Sequence, residues 1–193
     1  MKQLQFILFS LLLWGTLQAE EAILDLTATI ENKNANFILT EEPIVAEIFK
    51  GTADYEKTVA GLKTTEVSPS LQYRLVIKSS SGMGGDPESG LQGIYLKKND
   101  TVGAVIKSLT FFYADETTAL NIAQAQVNCQ LNGNEIVFGQ AQPLFPCVLT
   151  FAGDQLTPLM SENGFTKMKF ASAENAQAGT YSTTLELELS EVL

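Results

Sequence analysis

The chain carries two thiols and a scatter of carboxylates that could do chemistry, and no histidine accompanies them. Cys129 and Cys147 are an even pair, and in an oxidising compartment such a pair reads as a bridge. Closing the loop between them would add about 3 kcal/mol by restricting the unfolded chain. Two thiols without histidine make a poor zinc site, and a thiol nucleophile would want an imidazole that this chain lacks. The carboxylates cluster in sequence as Glu41-Glu42, Asp86/Glu88, Asp115-Glu116 and Glu186/Glu188. Glycoside hydrolysis needs two such groups converging on one bond. These fall in turn-like stretches or on one strand face, where a solvated surface is the default. Asp86, Glu88 and Asp100 could contribute to a calcium site, but their spacing matches no ordered ligand loop. Gly82-Met83-Gly84-Gly85 lacks the lysine of a phosphate cradle, and Asn99-Asp100-Thr101 is only a formal glycosylation acceptor. The expectation is therefore no enzyme, no cofactor, no metal and a structural disulfide Cys129–Cys147.

Charge and the first residues narrow the setting. The net charge is −10, and Arg74 is the sole arginine. That excludes a basic footprint for nucleic acid and argues against anionic membrane surfaces. Lys2, the apolar run from Phe6 to Leu17 and Ala19 before Glu20-Glu21 have the three-part layout of a secretory signal peptide, residues 1–19. The alternative is an uncleaved membrane anchor. No later stretch has the ~18 apolar residues of a second span. The remainder fits one domain with a sizeable core.

Strands must position whatever function there is. Residues 23–30 alternate, with Leu24, Leu26, Ala28 and Ile30 on one face and Asp25, Thr27 and Thr29 on the other. Further strands are expected at 43–49, 71–78, 93–97, 104–113, 123–131, 135–138, 147–151, 165–170 and 181–190. In the last, Leu185, Leu187 and Leu189 alternate with Glu186, Glu188 and Ser190. Asn132-Gly133 marks a hairpin. The glycine-rich stretch 79–90 reads as a flexible surface excursion, and Ala119, Leu120 and Ala123 admit a short helix over 117–126. About ten strands with turns every eight to twelve residues predict an all-β, immunoglobulin-like β-sandwich.

The two ends together carry a resemblance. The strand Leu24-Asp25-Leu26-Thr27-Ala28-Thr29-Ile30 with its polar break Glu31-Asn32, and Ala178-Gly179-Thr180-Tyr181-Ser182 leading into the last strand, resemble the chaperone–usher pilins. The match is best with the alternate, alpha-type lineage of colonisation-factor and cable fimbriae, and the spore-coat-U-like pilins are second. It covers about thirty residues; the disulfide is not a signature of the alpha-type lineage. The resemblance implies an incomplete sandwich over 32–193, completed by a donor strand. Residues 20–31 would be the N-terminal extension, inserting Leu24, Leu26, Ala28 and Ile30 into the next subunit. It also implies neighbouring subunits in a homopolymer, a periplasmic chaperone, an outer-membrane usher, a cell-surface location as a fimbrium, and room for a host receptor. Period two alone fits equally the first strand of a self-complete, monomeric secreted or periplasmic binding domain. A carboxylate enzyme is the third reading.

Overall fold

In the computed structural model, residues 23–32, 37–39, 43–139 and 146–192 are described. The expected leader and the pair Glu41-Glu42 lie outside them. The elements in chain order are β1 (Ile23–Asn32), β2 (Phe37–Ile38), β3 (Ile44–Phe49), β4 (Tyr55–Thr64), β5 (Gln72–Ser79), β6 (Met83–Gly85), β7 (Gln92–Lys98) and β8 (Thr101–Phe112). They continue with β9 (Gln124–Val127), β10 (Cys129–Asn132), β11 (Glu135–Phe138), β12 (Cys147–Ala152), a helical turn α1 (Gly153–Leu156) running into a 3₁₀ turn (Thr157–Met160), β13 (Gly164–Ser172) and β14 (Gly179–Glu191).

Alternation fixes the inner faces. Along β14, Tyr181, Thr183, Leu185, Leu187 and Leu189 are buried, while the intervening residues are half-buried or exposed. Its partners divide the fold into two layers. The first layer, in the order β14-β5-β12-β9, meets the second, β2-β4-β13-β8-β7, at the single pair Ser182–Lys97. On its opposite edge, β14 carries β1, which in turn carries β3. The β10–β11 hairpin attaches to β8, and β6 to β7. The chain is thus all-β and sandwich-like, with its core between the layers. Phe111 of the second layer and Phe151 of the first stand with ring centroids 6.3 Å apart, and Phe37 packs edge-on to Phe111 at 5.3 Å. Edge-to-face geometry is the favoured arrangement of aromatic quadrupoles.

Cys129 and Cys147 are bonded and both buried. Cys147 opens β12 in the first layer, and Cys129 opens β10, which reaches the second layer through β11, so the bridge staples the layers. Val127, next to the bridge, holds a left-handed φ of 71°, an unusual conformation for a β-branched residue. We expect the Cys129→Ser/Cys147→Ser chain to lose about 2–5 kcal/mol of stability, read as a lower urea midpoint with a somewhat steeper slope, because the unbridged unfolded chain exposes more surface.

Three local expectations change. The stretch 117–126 forms no helix: Asp115 accepts hydrogen bonds from Thr117 N and Thr118 N in a turn, and Leu120 N donates to Phe111 O at 2.8 Å. Residues 123–131 split into β9 and β10, because the chain turns at Val127 and Asn128 to change layers. The segment 79–90 is pinned rather than free. Met83 is buried in the core, β6 pairs with β7, and Ser80 N donates to Thr184 O. The Asn132-Gly133 hairpin is present. Gly133 takes the first central position, with φ 62°, in a two-residue turn completed by Asn134.

Candidate assembly site

Strand β1 fills a slot between β14 and β3. It runs parallel to β14, pairing Leu24 with Gly179, Leu26 with Tyr181, Ala28 with Thr183 and Ile30 with Leu185. Its other edge is antiparallel to β3, with Leu24 opposite Ile48, Leu26 opposite Ala46 and Ala28 opposite Ile44. Leu24, Leu26, Ala28 and Ile30 are at most 2 % exposed, so all four expected knobs enter the core together. Asp25, Thr27 and Thr29 are half-buried on the outer face. Residues 23–30 thus pair within their own domain, the arrangement expected of a self-complete sandwich. This is the one parallel pairing among the described strands.

The slot depends on β1 from both sides. Among the described strands β3 pairs with β1 alone, so β1 is the only strand ladder between β3 and the body. The outer edge of β3 is partly covered, since Lys57 Nζ donates to Val45 O at 2.7 Å. Val45 and Phe49 remain exposed on its outer face, and Ile23 pairs with Phe49 there.

The Ala178-to-Ser182 segment sets where β14 enters. Tyr181 Oη donates to Gln177 O at 3.1 Å and accepts from Gln177 N at 3.2 Å, four residues upstream. This is a tyrosine corner, a device of immunoglobulin-like sandwiches. Gly179 has a φ of 141°, and a Cβ there would collide with the Lys98 side chain. Lys98 crosses that space to donate from Nζ to Ala178 O at 2.8 Å. The motif therefore anchors the start of the strand that β1 pairs with. Tyr73 does similar work for β5, accepting from Ser68 N at 2.8 Å.

The other sequence candidates do not converge. Asp86 accepts from Ser89 N at 2.8 Å and closes a local turn. Hydrogen bonds from Thr118 and Thr117 hold the Asp115 carboxyl below the usual carboxylate range. Glu186 and Glu188 both face Lys78, at 3.5 and 3.4 Å. Among the described residues, no group of three or more Asp, Glu, Cys or His side chains could hold a metal. A feature that sequence reading missed is a band of cross-strand ion pairs on the outer face of the second layer. It comprises Asp54–Lys107 at 2.7 Å, Glu56–Lys167 at 3.2 Å and Glu135–Lys169 at 2.7 Å.

Glu135 also accepts from Ser108 Oγ. Partial burial pushes its carboxyl up, but the hydrogen bonds from Lys169 and Ser108 outweigh this and leave it below the ordinary value. A carboxyl depressed in the folded state stabilises the fold above its unfolded pKa, about 4.3, and this is lost as pH falls through the folded value. The partner is exposed enough that the effect should stay under about 1 kcal/mol. Urea titrations of the wild type and Glu135→Gln should differ at pH 7 and approach each other as the pH falls through the carboxylate range; a constant difference would refute the pairing.

No protein-family model matches the chain, and no curated protein is significantly similar to it.

Proposed function

We propose that this chain is a structural subunit of an exported surface fibre that polymerises by donor-strand exchange, residues 20–31 of each copy supplying the strand for a neighbour. The observation that supports this is the position of β1: an N-terminal strand occupying a slot whose two walls, β14 and β3, do not pair with each other. Leave the slot empty, and an apolar groove and two unpaired edges result, a template for strand addition. The end motifs, similar to those of chaperone–usher pilins, place the slot beside the last strand. On this reading a periplasmic chaperone holds the groove before assembly, an outer-membrane usher passes the subunit outward, and the fimbrium grows by a heterologous, head-to-tail contact.

Connectivity fixes the direction of the strand within one copy. Within one copy β1 must fold back beside β3, which makes it antiparallel to β3 and parallel to β14. A strand from a second copy has no such tether; run antiparallel to β14 it would lie parallel to β3, so the parallel ladder would move from the nine-pair β14 side to the six-pair β3 side, a small gain at most. The self-paired arrangement is on this reading a resting state, displaced during assembly.

A second reading is favoured by the same strand being paired inside its own sheet, as a self-complete monomeric secreted or periplasmic binding domain would have it. Electrophoresis separates the two. A fibre subunit should give an SDS-resistant ladder that collapses on boiling. Protein that stays monomeric in the presence of its assembly partners, with the amides of β1 protected from exchange, would sink the fibre reading.

A further inference from the structure

Away from the β1 slot, a cavity of about 310 Å³ opens between the tip of the β7–β8 hairpin and the turn that precedes β14. We propose that it is a binding site for a neutral saccharide. The size lies at the lower end of the ~300–1,000 Å³ typical of small-ligand sites. Its rim carries three carboxamides, Asn99, Asn175 and Gln177, together with Thr101 and Glu88. The side chains of these five make no hydrogen bond or ion pair within the described chain. A carboxamide offers donors and an acceptor at a fixed angle, and a sugar hydroxyl is both donor and acceptor, so the two chemistries match group for group.

The backbone holds this rim in place. Asn99 and Asp100 are the central residues of the two-residue β7–β8 turn, with φ of 50° and 64°, so Asn99 is displayed from a defined hairpin tip. Gln177 is held through its backbone by the Tyr181 hydroxyl, and Tyr181 itself contributes to the lining. Charge selects against acids. The cavity's one cation, Lys98, is engaged by Ala178 O, while Glu88 stands free on the rim of a chain whose net charge is −10. An anionic ligand would meet the Glu88 carboxylate, which offsets the Lys98 ammonium, so the rim offers it no net positive charge. This site does not rest on the fibre reading, because it uses none of the residues of β1 or β3.

The test uses the mature chain, labelled with ¹⁵N and titrated with lactose, maltose and chitobiose, following backbone and carboxamide NH₂ signals. Expected is saturable binding with a Kd of roughly 1 mM for at least one of them, with shifts confined to residues 88–89, 98–103 and 175–181. The Asn175→Ala/Gln177→Ala variant, folded by its spectrum, should bind at least about tenfold more weakly. Absence of saturable shifts with all three sugars, shifts centred elsewhere, or an unchanged affinity in the variant would overturn the proposal. So would tighter binding of sialyllactose than of lactose.

Discussion

A chain that begins after Asn32 should not fold alone. Leu24, Leu26 and Ile30 are each essentially removed from water, and at ~1.5–3 kcal/mol apiece they contribute about 5–9 kcal/mol. That is comparable with the entire net stability of a typical domain, about 5–15 kcal/mol. The loss is compounded because β3 has no other strand partner among the described residues, so its backbone groups and the buried Ile44, Ala46 and Ile48 would be released with β1. A synthetic peptide of residues 20–32 added to the truncated chain should restore a dispersed amide spectrum and cooperative unfolding. If the truncated chain alone unfolds cooperatively within about 1 kcal/mol of the intact one, β1 is a dispensable addition and the slot has been misjudged. This result bears on the fold whichever function is correct, because either reading requires a strand in that place.

Why so much of this was legible, and where legibility stopped, follows from the physics of half-buried strands. β1, β3, β11 and β14 bury one face and alternate, and their expected bounds lie within two residues of those observed. β4 was invisible for a stated reason. Its sequence Tyr-Glu-Lys-Thr-Val-Ala-Gly-Leu-Lys-Thr is interrupted at Gly61, where the register against β13 slips from Ala60–Phe165 to Leu62–Gly164. A bulge of this kind shifts the phase of the alternation, so Val59 and Leu62, both buried, no longer sit an even number of residues apart. β2 and β6 are too short to show any period. The turn at 117–120 is set by Asp115, a local Asx-type contact that competes with a helix, and by Phe111 O, which Leu120 N reaches across the chain and no local propensity encodes. At the candidate site, the four knobs could be read from period two, but their direction could not. Nothing in Leu24 to Ile30 says parallel or antiparallel; the tether to β3 decides it. The saccharide cavity was equally hidden, since Asn99, Asn175 and Gln177 are gathered from two turns distant in sequence.

If the chain assembles by donor-strand exchange as proposed, locking β1 into its own domain should abolish fibre growth and leave the fold intact. Thr27 and Val45 stand directly opposite one another on the outer face of the antiparallel β1–β3 pair. Opposed residues on such a pair have Cβ atoms about 4.5–5.5 Å apart, close enough for a disulfide after a small adjustment. The Thr27→Cys/Val45→Cys chain should therefore oxidise without disturbing Leu26 or Ala28, which face the other way. The engineered bridge would be exposed to mild reductant, whereas Cys129 and Cys147 are buried, so it can be opened selectively. The oxidised protein should remain monomeric on unboiled gels, and mild reduction should return the ladder. A self-complete binding domain would give no ladder in either state. A ladder of normal length from the oxidised protein would show that some other segment is exchanged. That outcome would remove β1 from the assembly mechanism while leaving its place in the core unchanged.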